Sequence, residues 1–435
     1  MSPAMLSLSL PELADALRKE RCSLEEYFEA SLERISETEE TVAALLPEEG
    51  RRERLMAEAE RVRRRFPRGE RPPLFGVLVG VKDLFKVEGM PRTAGSRLPA
   101  SAFDAEETEI VTRLKELGAV VLGITVSTEF AYFSPGPTRN PRNPQHTPGG
   151  SSSGSAAAVA AGYCRLALGT QTIGSVSRPA AFCGITGLKP SFGKLSVKGV
   201  FPFSWSADHV GLLAGSVGDA AAAYAAVTDT PLPSSSGEFS PGRTFLIPDE
   251  AYLSLAEEET LLRFEEGLRR IEGAGAAIVR TTALADIDDI RDAHRKMIAR
   301  EFAETHKELI HEFGDRYSES SLSLIEEGKK VTEEELREAR VGRLRLRGAL
   351  DEMLLAEGGA AWLSPAAPGE APEGIGATGN PVMNLPWTYA GVPTVAIPGG
   401  SGKRGLPLGL QVAGAFGADV ELLRVAELLE PLVSI

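Results

Sequence analysis

A long stretch of small side chains at residues 148–187 constrains the fold of this chain more than any other feature of its sequence. It contains PGGSSSGSAAAVAAG at residues 148–162 and LALGTQTIGSVSRPAAFCGITGLKP at residues 166–190. Glycine and serine richness is typical of flexible linkers. Here, however, residues 156–161 favour a helix and residues 166–168 favour a strand. We therefore expect an ordered segment whose glycines let neighbouring backbones approach closely.

Strand and helix patterns alternate along the rest of the chain. The apolar run LFGVLVGV at residues 74–81 predicts a buried strand, and an amphipathic helix at residues 108–117 leads into the strand-like run AVVLG at residues 119–123. Further strands are predicted at residues 166–168, 276–280, 361–367, 394–400 and 408–414, and a closing helix at residues 420–430. This alternation predicts the α/β class, with one sheet threaded by the whole chain.

The chain divides into four segments that we expect to form a single domain over residues 1–435. These are N-terminal helices (1–70), a core (74–230), a mostly helical excursion (240–355), and C-terminal strands with the closing helix (361–432). Residues 231–241 (PLPSSSGEFSP) predict a loop. The histidines of the helical excursion (His294, His306 and His311) are expected on helix surfaces.

Composition excludes several classes of protein. The 47 Lys+Arg and 61 Asp+Glu residues give a formal net charge of −14 at pH 7, which argues against nucleic acids and anionic membranes as partners. No apolar run reaches the ~18 residues of a spanning helix, and the N-terminus lacks a secretory signal pattern. The scattered cysteines and histidines form no metal motif. We therefore expect a cytoplasmic protein without metal or cofactor.

Two familiar catalytic motifs match the small-residue stretch poorly. A GxSxG elbow would place the nucleophile at Ser152, but residues 138–148 before it are interrupted by prolines and do not predict the required strand. A phosphate-binding loop would end in GK[ST], whereas Gly154 is followed by Ser155 and Ala156. We favour neither motif.

A lysine and two serines form a third candidate. Lys82 ends the apolar run, where burial would favour its neutral amine and make it a usable base. Ser151 opens the serine run after Gly149 and Gly150, and Ser175 lies in the later TIGS motif. A lysine at the end of a strand is more commonly a surface group, so the residue types alone leave both alternatives open.

The sequence around these three residues resembles the amidase signature family. VGVKDLF around Lys82, the two small-residue motifs and GLPLGLQVAG at residues 405–414 carry the resemblance, which is dense over residues 74–230 and thinner over residues 361–432. The GTQTxGSxxRPA form of residues 169–180, with NLPWTYAGVP at residues 384–393, is similar to one branch of simple amidases. The resemblance implies a large twisted mixed β-sheet covered on both faces by helices.

The resemblance also implies a role for each matching residue. Ser175 would be the nucleophile, Ser151 the bridging serine that follows a cis peptide bond, and Lys82 the general base. The oxyanion hole would consist of the backbone N–H groups of Thr172, Ile173, Gly174 and Ser175. A glycine at position 174 would keep the approach of the oxyanion free of side chains. The neighbouring Asp208 and His209 are expected in a structural turn.

The chain departs from the family pattern at three positions. Gln171 stands where the family often has an acidic residue, Ile173 where it often has a small one, and Ser177 where it often has arginine, with Arg178 following. These changes put the substrate class in doubt more than the mechanism, because Lys82 and both serines are present.

The candidate substrate-binding residues are Thr128, Phe130, Tyr132, Gly149, Gly150 and Trp387. Nearby Phe133 and Trp205 are further candidates for the pocket wall. Core packing is the alternative for each aromatic residue, and surface placement is the alternative for Thr128 and Glu129.

Three functions remain open at this point. The first is a monomeric or homodimeric amidohydrolase for small or aryl amides, which could also hydrolyse esters and carbamates (urethanes). The second is the glutaminase (A) subunit of a tRNA-dependent amidotransferase; the acidic net charge, the chain length and Gln171 speak mildly against it. The third is a catalytically silent binding module, which the complete set of Lys82, Ser151 and Ser175 disfavours.

Substitution of the predicted nucleophile and base gives the first test. Ser175→Ala should abolish hydrolysis, because no acyl acceptor remains, and Lys82→Ala should lower the rate by several orders of magnitude, because nothing activates the serine. Initial rates of hydrolysis at neutral pH measure both effects. A near-wild-type rate in Lys82→Ala would contradict the proton relay.

Overall fold

The computed structural model describes residues 3–231 and 241–434. The predicted loop at residues 231–241 therefore lies, except for its two end residues, outside the described residues. The described strands are β1 (Leu78–Lys82), β2 (Val120–Thr125), β3 (Leu166–Gln171), β4 (Thr186–Lys189), β5 (His209–Ala214), β6 (Thr244–Ile247), β7 (Ala277–Arg280), β8 (Gly359–Pro365), β9 (Thr394–Ser401) and β10 (Pro407–Ala413).

Helices connect these strands and flank the sheet. They are α1 (Pro3–Leu6), α2 (Leu10–Arg18), α3 (Leu24–Val42), α4 (Arg51–Arg65), α5 (Glu109–Glu116), α6 (Ser153–Ala160), α7 (Ser177–Cys183), α8 (Val217–Thr228), α9 (Glu250–Leu253), α10 (Glu258–Gly273), α11 (Ile287–Thr305), α12 (Lys307–Phe313), α13 (Glu319–Gly328), α14 (Glu333–Ala356), α15 (Leu385–Ala390) and α16 (Asp419–Val433).

The strands described by the structure form one mixed sheet of ten, in the order β2-β1-β3-β5-β4-β9-β10-β8-β6-β7. Parallel pairs lie toward both edges, at β2-β1-β3 and β8-β6-β7, and antiparallel pairs fill the middle. The predicted fold class, a mixed sheet between helical layers, is confirmed. That residues 1–435 make up a single domain stays a prediction.

The two faces of the sheet carry side chains of different size. On one face, large apolar residues such as Leu168, Leu212 and Val395 join the main core. On the other face, Ala167 and Ala396 join a second core that contains the alanines of α6 and α7. Because successive strand residues point to opposite faces, this division follows from the strand sequences themselves. The small face is the one that α6 and α7 cover.

Glycines let α7 lie directly on the sheet. A Cβ atom at Gly187 would lie 2.7 Å from the Cβ of Ala180 in α7, and one at Gly211 would lie 2.7 Å from the Val176 side chain. A Cβ atom at Gly409 would lie 2.6 Å from the Cβ of Ala181. The expected close approach of backbones in the small-residue stretch is therefore present.

Some predicted elements differ from the structure. The strand predicted at residues 74–81 begins only at Leu78, because Gly76 has φ +74° and turns the chain before it. The surface positions expected for His294 and His306 are wrong, since they are only 1% and 0% exposed, whereas His311 is exposed as expected. His306 packs among aromatic rings, including Phe302 and Phe130, which a polar residue type does not indicate.

Neither a membrane-spanning helix nor a metal-binding cluster of side chains is found among the described residues. None of their helices combines the length and the apolar character that crossing a membrane requires. Within residues 3–231 and 241–434, no group of three or more His, Cys, Asp or Glu side chains is arranged to hold a metal ion.

The contact of Gly154 in α6 with the backbone of two neighbouring segments gives a stability prediction. A Cβ atom at Gly154 would lie 2.2 Å from the carbonyl oxygen of Ala44 and 2.3 Å from the backbone nitrogen of Val126. Gly154→Ala should therefore lower the free energy of unfolding by about 1–3 kcal/mol through overpacking. Denaturant titration measures the change.

A matched control is available in α14. Gly348 is also helical, but no heavy atom lies within 4 Å of its would-be Cβ. Gly348→Ala should raise the free energy of unfolding by about 0.5–1 kcal/mol, because alanine loses less conformational entropy in a helix. Equal effects of the two substitutions would contradict the close packing of α6.

Candidate active site

The site begins at the end of β1, where Lys82 is 0% exposed. Its Nζ lies 2.8 Å from Ser151 Oγ, 3.1 Å from Ser152 Oγ and 2.8 Å from Thr170 Oγ1. The two serines come from the loop before α6, and Thr170 comes from the neighbouring strand β3. The sheet therefore delivers the amine and the small-residue segment delivers the hydroxyls around it.

Burial decides the protonation of this amine. It lowers the pKa of Lys82 well below its ordinary value of 10.5, and the nearby carboxylate of Asp208 opposes the shift only in part. Within the described part of the chain, Lys82 forms no salt bridge. A neutral amine has two N–H groups and one lone pair, so three hydroxyls can satisfy it completely. The lone pair can then accept the proton of Ser151.

Backbone geometry places Ser151 beside the amine. The Gly150–Ser151 peptide bond is cis, as the family resemblance implies, and Gly149 has φ +81°. The carbonyl oxygen of Gly150 accepts a hydrogen bond from Nη2 of buried Arg178 at 2.6 Å. The backbone N–H of Thr128 donates to the carbonyl oxygen of Ser151 at 3.2 Å. Both peptide carbonyls around the serine are thus held.

Ser175 lies between β3 and α7 and is 6% exposed. The backbone N–H of Ser152 donates to its carbonyl oxygen at 3.3 Å, which joins the two serine segments. Among the described residues, no hydrogen bond links Ser151 Oγ directly to Ser175 Oγ. The structure therefore brings Lys82 to Ser151, and proton transfer from Ser175 to Ser151 stays a prediction.

The turn before Ser175 leaves a row of amide hydrogens without protein acceptors. The Gln171 side-chain oxygen accepts the N–H groups of Val176 at 2.8 Å and Ser177 at 2.9 Å. In the part of the chain that the structure describes, the preceding N–H groups, at residues 172–175, donate to no protein atom. These are the four amides in which the sequence predicts an oxyanion hole.

Gln171 supports this turn without charge. Its side-chain NH₂ donates to Thr388 Oγ1 at 3.0 Å, while its oxygen accepts the two backbone N–H groups. An ionised carboxylate could accept the same two N–H groups but could not donate to Thr388. The departure from the family pattern at position 171 therefore exchanges a charged support for a neutral one.

Gly174 is required by packing as well as by any ligand. A Cβ atom there would lie 2.4 Å from Oδ1 of Asn384 and 2.9 Å from the Pro381 side chain. The expected reason for this glycine was open space for the oxyanion. The structure adds a second reason, which is the close approach of the segment before α15.

Only some of the predicted substrate-binding residues lie next to the catalytic candidates. Gly149, Gly150 and Thr128 lie around Ser151, and a Cβ atom at Gly150 would lie 3.2 Å from Cγ2 of Thr128. The Tyr132 hydroxyl accepts a hydrogen bond from Arg295 at 2.5 Å, and the residue is 7% exposed.

Two of the predicted aromatic contacts lie in the core. Phe130 is 1% exposed and packs against His306 and Tyr317, with ring centroids 4.5 and 4.8 Å away. Trp387 is 0% exposed, and its Nε1 donates to the Tyr252 hydroxyl at 3.0 Å. These placements favour the packing alternative, and contact of either residue with substrate stays a prediction. Trp205, by contrast, is exposed.

A cavity of about 450 Å³ opens beside the predicted oxyanion hole. Its lining combines apolar and charged side chains: Phe133, Ile173, Asp288, Arg291, Asp292, His294, Arg295, Ile298, Asn380, Pro381, Val382 and Leu385. Sequence reasoning identified only Ile173 and Phe133 among them. The charged residues of α11 recur every three or four positions, which indicates one helix face but is equally typical of a solvated face.

His294 is the main residue that the sequence misplaced. Its Nε2 lies 3.0 Å from the carbonyl oxygen of Thr172, and its ring stands at 89° to that of Tyr389. Burial lowers the pKa of His294 to about 4. A helix surface was expected from the charged sequence around it, whereas tertiary packing turns this one position toward the site.

Comparison with known proteins identifies the family of this chain. A protein-family model described as Amidase matches residues 26–248. The A subunit of the glutamyl-tRNA(Gln) amidotransferase of Geobacter metallireducens is 31% identical, over 98% of this chain and 97% of its own length. The chain belongs to the amidase signature family.

Other proteins similar to this amidase signature chain have different functions. The AtzE component of the 1-carboxybiuret hydrolase of Pseudomonas sp. is 44% identical over 50% of this chain and 49% of its own. A crystal structure of an amidase has a TM-score of 0.87 at 32% identity and covers 98% of this chain and 100% of its own. Native peptide amidase from Stenotrophomonas maltophilia has a TM-score of 0.81 at 25% identity, with 98% and 96% covered.

The protonation of Lys82 gives a pH prediction. Only the neutral amine can accept a proton, so kcat/KM should fall as the pH drops through the folded-state pKa of Lys82 and be constant above it. Because burial lowers that pKa, the plateau should be reached well before pH 10.5. A pH–rate profile with Ser175→Ala as the blank measures this.

Lys189 offers a matched control. It is a second buried lysine, with a pKa lowered to about 7 by burial, and its Nζ donates to the carbonyl oxygen of Val392. A folded Lys189→Met variant should keep the acid limb of the profile, because this amine has no contact with either serine. An acid limb centred near the ordinary lysine pKa in the wild-type chain would contradict the neutral base.

Proposed function

We propose that this chain hydrolyses amide C–N bonds through an acyl-enzyme on Ser175, with Lys82 as the base and Ser151 as the proton carrier. One observation carries the proposal. The amine of Lys82 is completely buried, and its three hydrogen-bond partners are hydroxyl groups and not carboxylates. Such an amine is a base at neutral pH, so the serine needs no histidine.

The reaction then follows from the contacts. Neutral Lys82 takes the proton of Ser151, and Ser151 takes the proton of Ser175 as Ser175 Oγ bonds to the substrate carbonyl carbon. The negative charge on the carbonyl oxygen is stabilised by the amide N–H groups of residues 172–175. The C–N bond breaks as the proton returns through Ser151 to the leaving nitrogen. Water then attacks the ester, releases the acid and restores Ser175.

The cavity beside Ile173 fits two classes of substrate, and small or aryl amides are the first. Its apolar wall, which includes Phe133, Ile298 and Leu385, fits small or aryl acyl groups, and esters and carbamates share that shape. A stand-alone amidohydrolase of this kind is the first candidate. It would act on a small molecule as a monomer or homodimer in the cytoplasm.

The second candidate is a glutaminase subunit of a tRNA-dependent amidotransferase, which would work with partner subunits. The relatives favour it over the first candidate, since the A subunits of several glutamyl-tRNA(Gln) amidotransferases match almost the full chain at 30–32% identity. The rim of the cavity adds physical support. Asp288, Arg291 and Asp292 provide both signs of charge, as a zwitterionic amino acid requires.

A direct comparison of two substrates tests the choice. Because the relatives and the charged rim favour a glutaminase, we expect the purified chain to release ammonia from glutamine faster than it releases 4-nitroaniline from 4-nitroacetanilide. Arg291→Gln should raise KM for glutamine and leave KM for the anilide unchanged, because only glutamine carries a carboxylate. Arg263, exposed on α10, gives a control charge removal as Arg263→Gln.

The opposite preference would select the first candidate. Rapid anilide hydrolysis by the chain alone, without a response to Arg291→Gln, would support a stand-alone amidohydrolase. Loss of both activities in Ser175→Ala is required under either candidate.

A further inference from the structure

In the predicted oxyanion hole, protein donors form hydrogen bonds to the carbonyl oxygens of the peptide units whose N–H groups are free. In a planar trans peptide, the C=O of one residue and the N–H of the next point in opposite directions. A donor that fixes the carbonyl therefore also fixes the direction of the N–H. Hydrogen bonds to the carbonyl oxygens can therefore orient the free N–H groups of residues 172–175 and still leave their hydrogens open to a ligand.

Three of the four peptide units have such a donor. The carbonyl of Thr172 lies 3.0 Å from His294 Nε2, that of Ile173 accepts Thr388 Oγ1 at 2.6 Å, and that of Gly174 accepts the backbone N–H of Arg178 at 3.0 Å. The N–H groups opposite these carbonyls are those of Ile173, Gly174 and Ser175, in the same order. The carbonyl of Gln171 lies 3.3 Å from His209 Nδ1, which is closer, at 2.6 Å, to the carbonyl of Ala207.

We infer that His294 is a positioning residue, which orients the N–H of Ile173 into the oxyanion hole by holding the carbonyl of Thr172. The inference rests on the proposed function, and it assigns a role to the helical excursion that the family motifs do not cover. His294 comes from α11, is 1% exposed and lines the cavity beside Ile173. It acts on the peptide unit and not on the substrate.

The chemistry of the ring fixes which nitrogen donates. A carbonyl oxygen only accepts, so Nε2 of His294 carries the hydrogen and, in a neutral ring, Nδ1 holds the lone pair. Burial lowers the pKa of His294 and so keeps the ring neutral at ordinary pH. The histidine therefore orients a peptide dipole without placing a full positive charge beside the reacting groups. The edge contact with Tyr389 holds the ring itself in place.

Two substitutions separate the hydrogen bond from ring packing. His294→Leu removes the donor, and His294→Gln keeps an N–H at a similar distance from the backbone. His311→Gln, on the exposed face of α12, is the control. The readout is the rate at which a fluorophosphonate probe labels Ser175, because its phosphoryl oxygen occupies the oxyanion hole and no natural substrate is needed. Thermal unfolding confirms that each variant is folded.

The expected losses follow from the cost of an oxyanion donor. Complete removal of one donor typically lowers the rate about 10²–10³-fold, so a misdirected one should cost about 10- to 100-fold in His294→Leu. His294→Gln should recover most of the rate. The acid limb of the pH–rate profile should be unchanged in both variants, because Lys82 has no contact with His294.

Each other outcome overturns the inference. An unchanged labelling rate in folded His294→Leu would show that the N–H of Ile173 needs no support. Equal losses in the leucine and glutamine variants would assign the effect to ring packing. If the leucine variant does not fold, His294→Asn, whose amide is too short to reach the carbonyl, replaces it in the comparison with glutamine. A wild-type chain that is neither labelled nor active would instead overturn the proposed function itself, and the inference with it.

Discussion

The burial of one amine sets the conditions for everything else in this site. An ammonium group without a counter-ion costs several kcal/mol to remove from water, so Lys82 is more stable neutral in its position at the end of β1. Three hydroxyls, from Ser151, Ser152 and Thr170, satisfy a neutral amine completely. The same contacts that make its burial tolerable therefore also present a proton to its lone pair. Stability of the fold and basicity of the site have one cause.

The hydroxyls reach the amine where a glycine leaves the sheet without a side chain. A Cβ atom at Gly169 would lie 2.8 Å from Ser152 Oγ, so the serine loop rests on bare backbone at this position. The opposite face, with Leu168 and Leu212, holds the main core. The small residue at this contact brings the polar groups together, so the small-residue stretch is a structural necessity of the site.

Site residues that lie within short sequence motifs could be predicted, whereas residues that reach the site from distant parts of the sequence could not. Lys82, Ser151 and Ser175 lie in short motifs whose residue types carry chemistry, so they could be identified. His294 and Thr388 contact the backbone carbonyls of Thr172 and Ile173, and nothing in their own segments indicates these distant partners. Phe130 and Trp387 lie near motifs but pack in the core, because an apolar residue beside a site has the same sequence pattern on either face. The strands were more predictable for a related reason. The strands β1 and β2 are largely apolar runs that the sequence marks by itself, whereas the four-residue β4 (TGLK) is placed by its pairing with β5 and β9.

The electrostatics of the turn complete the argument about the neutral base. Gln171 is neutral where the family often has an acidic residue, and the arginine stands one position later than in the family pattern, at Arg178, whose guanidinium binds the carbonyl oxygens of Gly150 and Gly379. A carboxylate at position 171 would oppose a developing oxyanion and would raise the pKa of Lys82. The remaining carboxylate, Asp208, accepts hydrogen bonds from Thr172 Oγ1 and from the N–H groups of Phe203 and Ser204, which disperse its charge. With no carboxylate at position 171, peptide dipoles are the groups that would face an oxyanion, and under the proposed function the rate would depend on their orientation by donors on the carbonyl side.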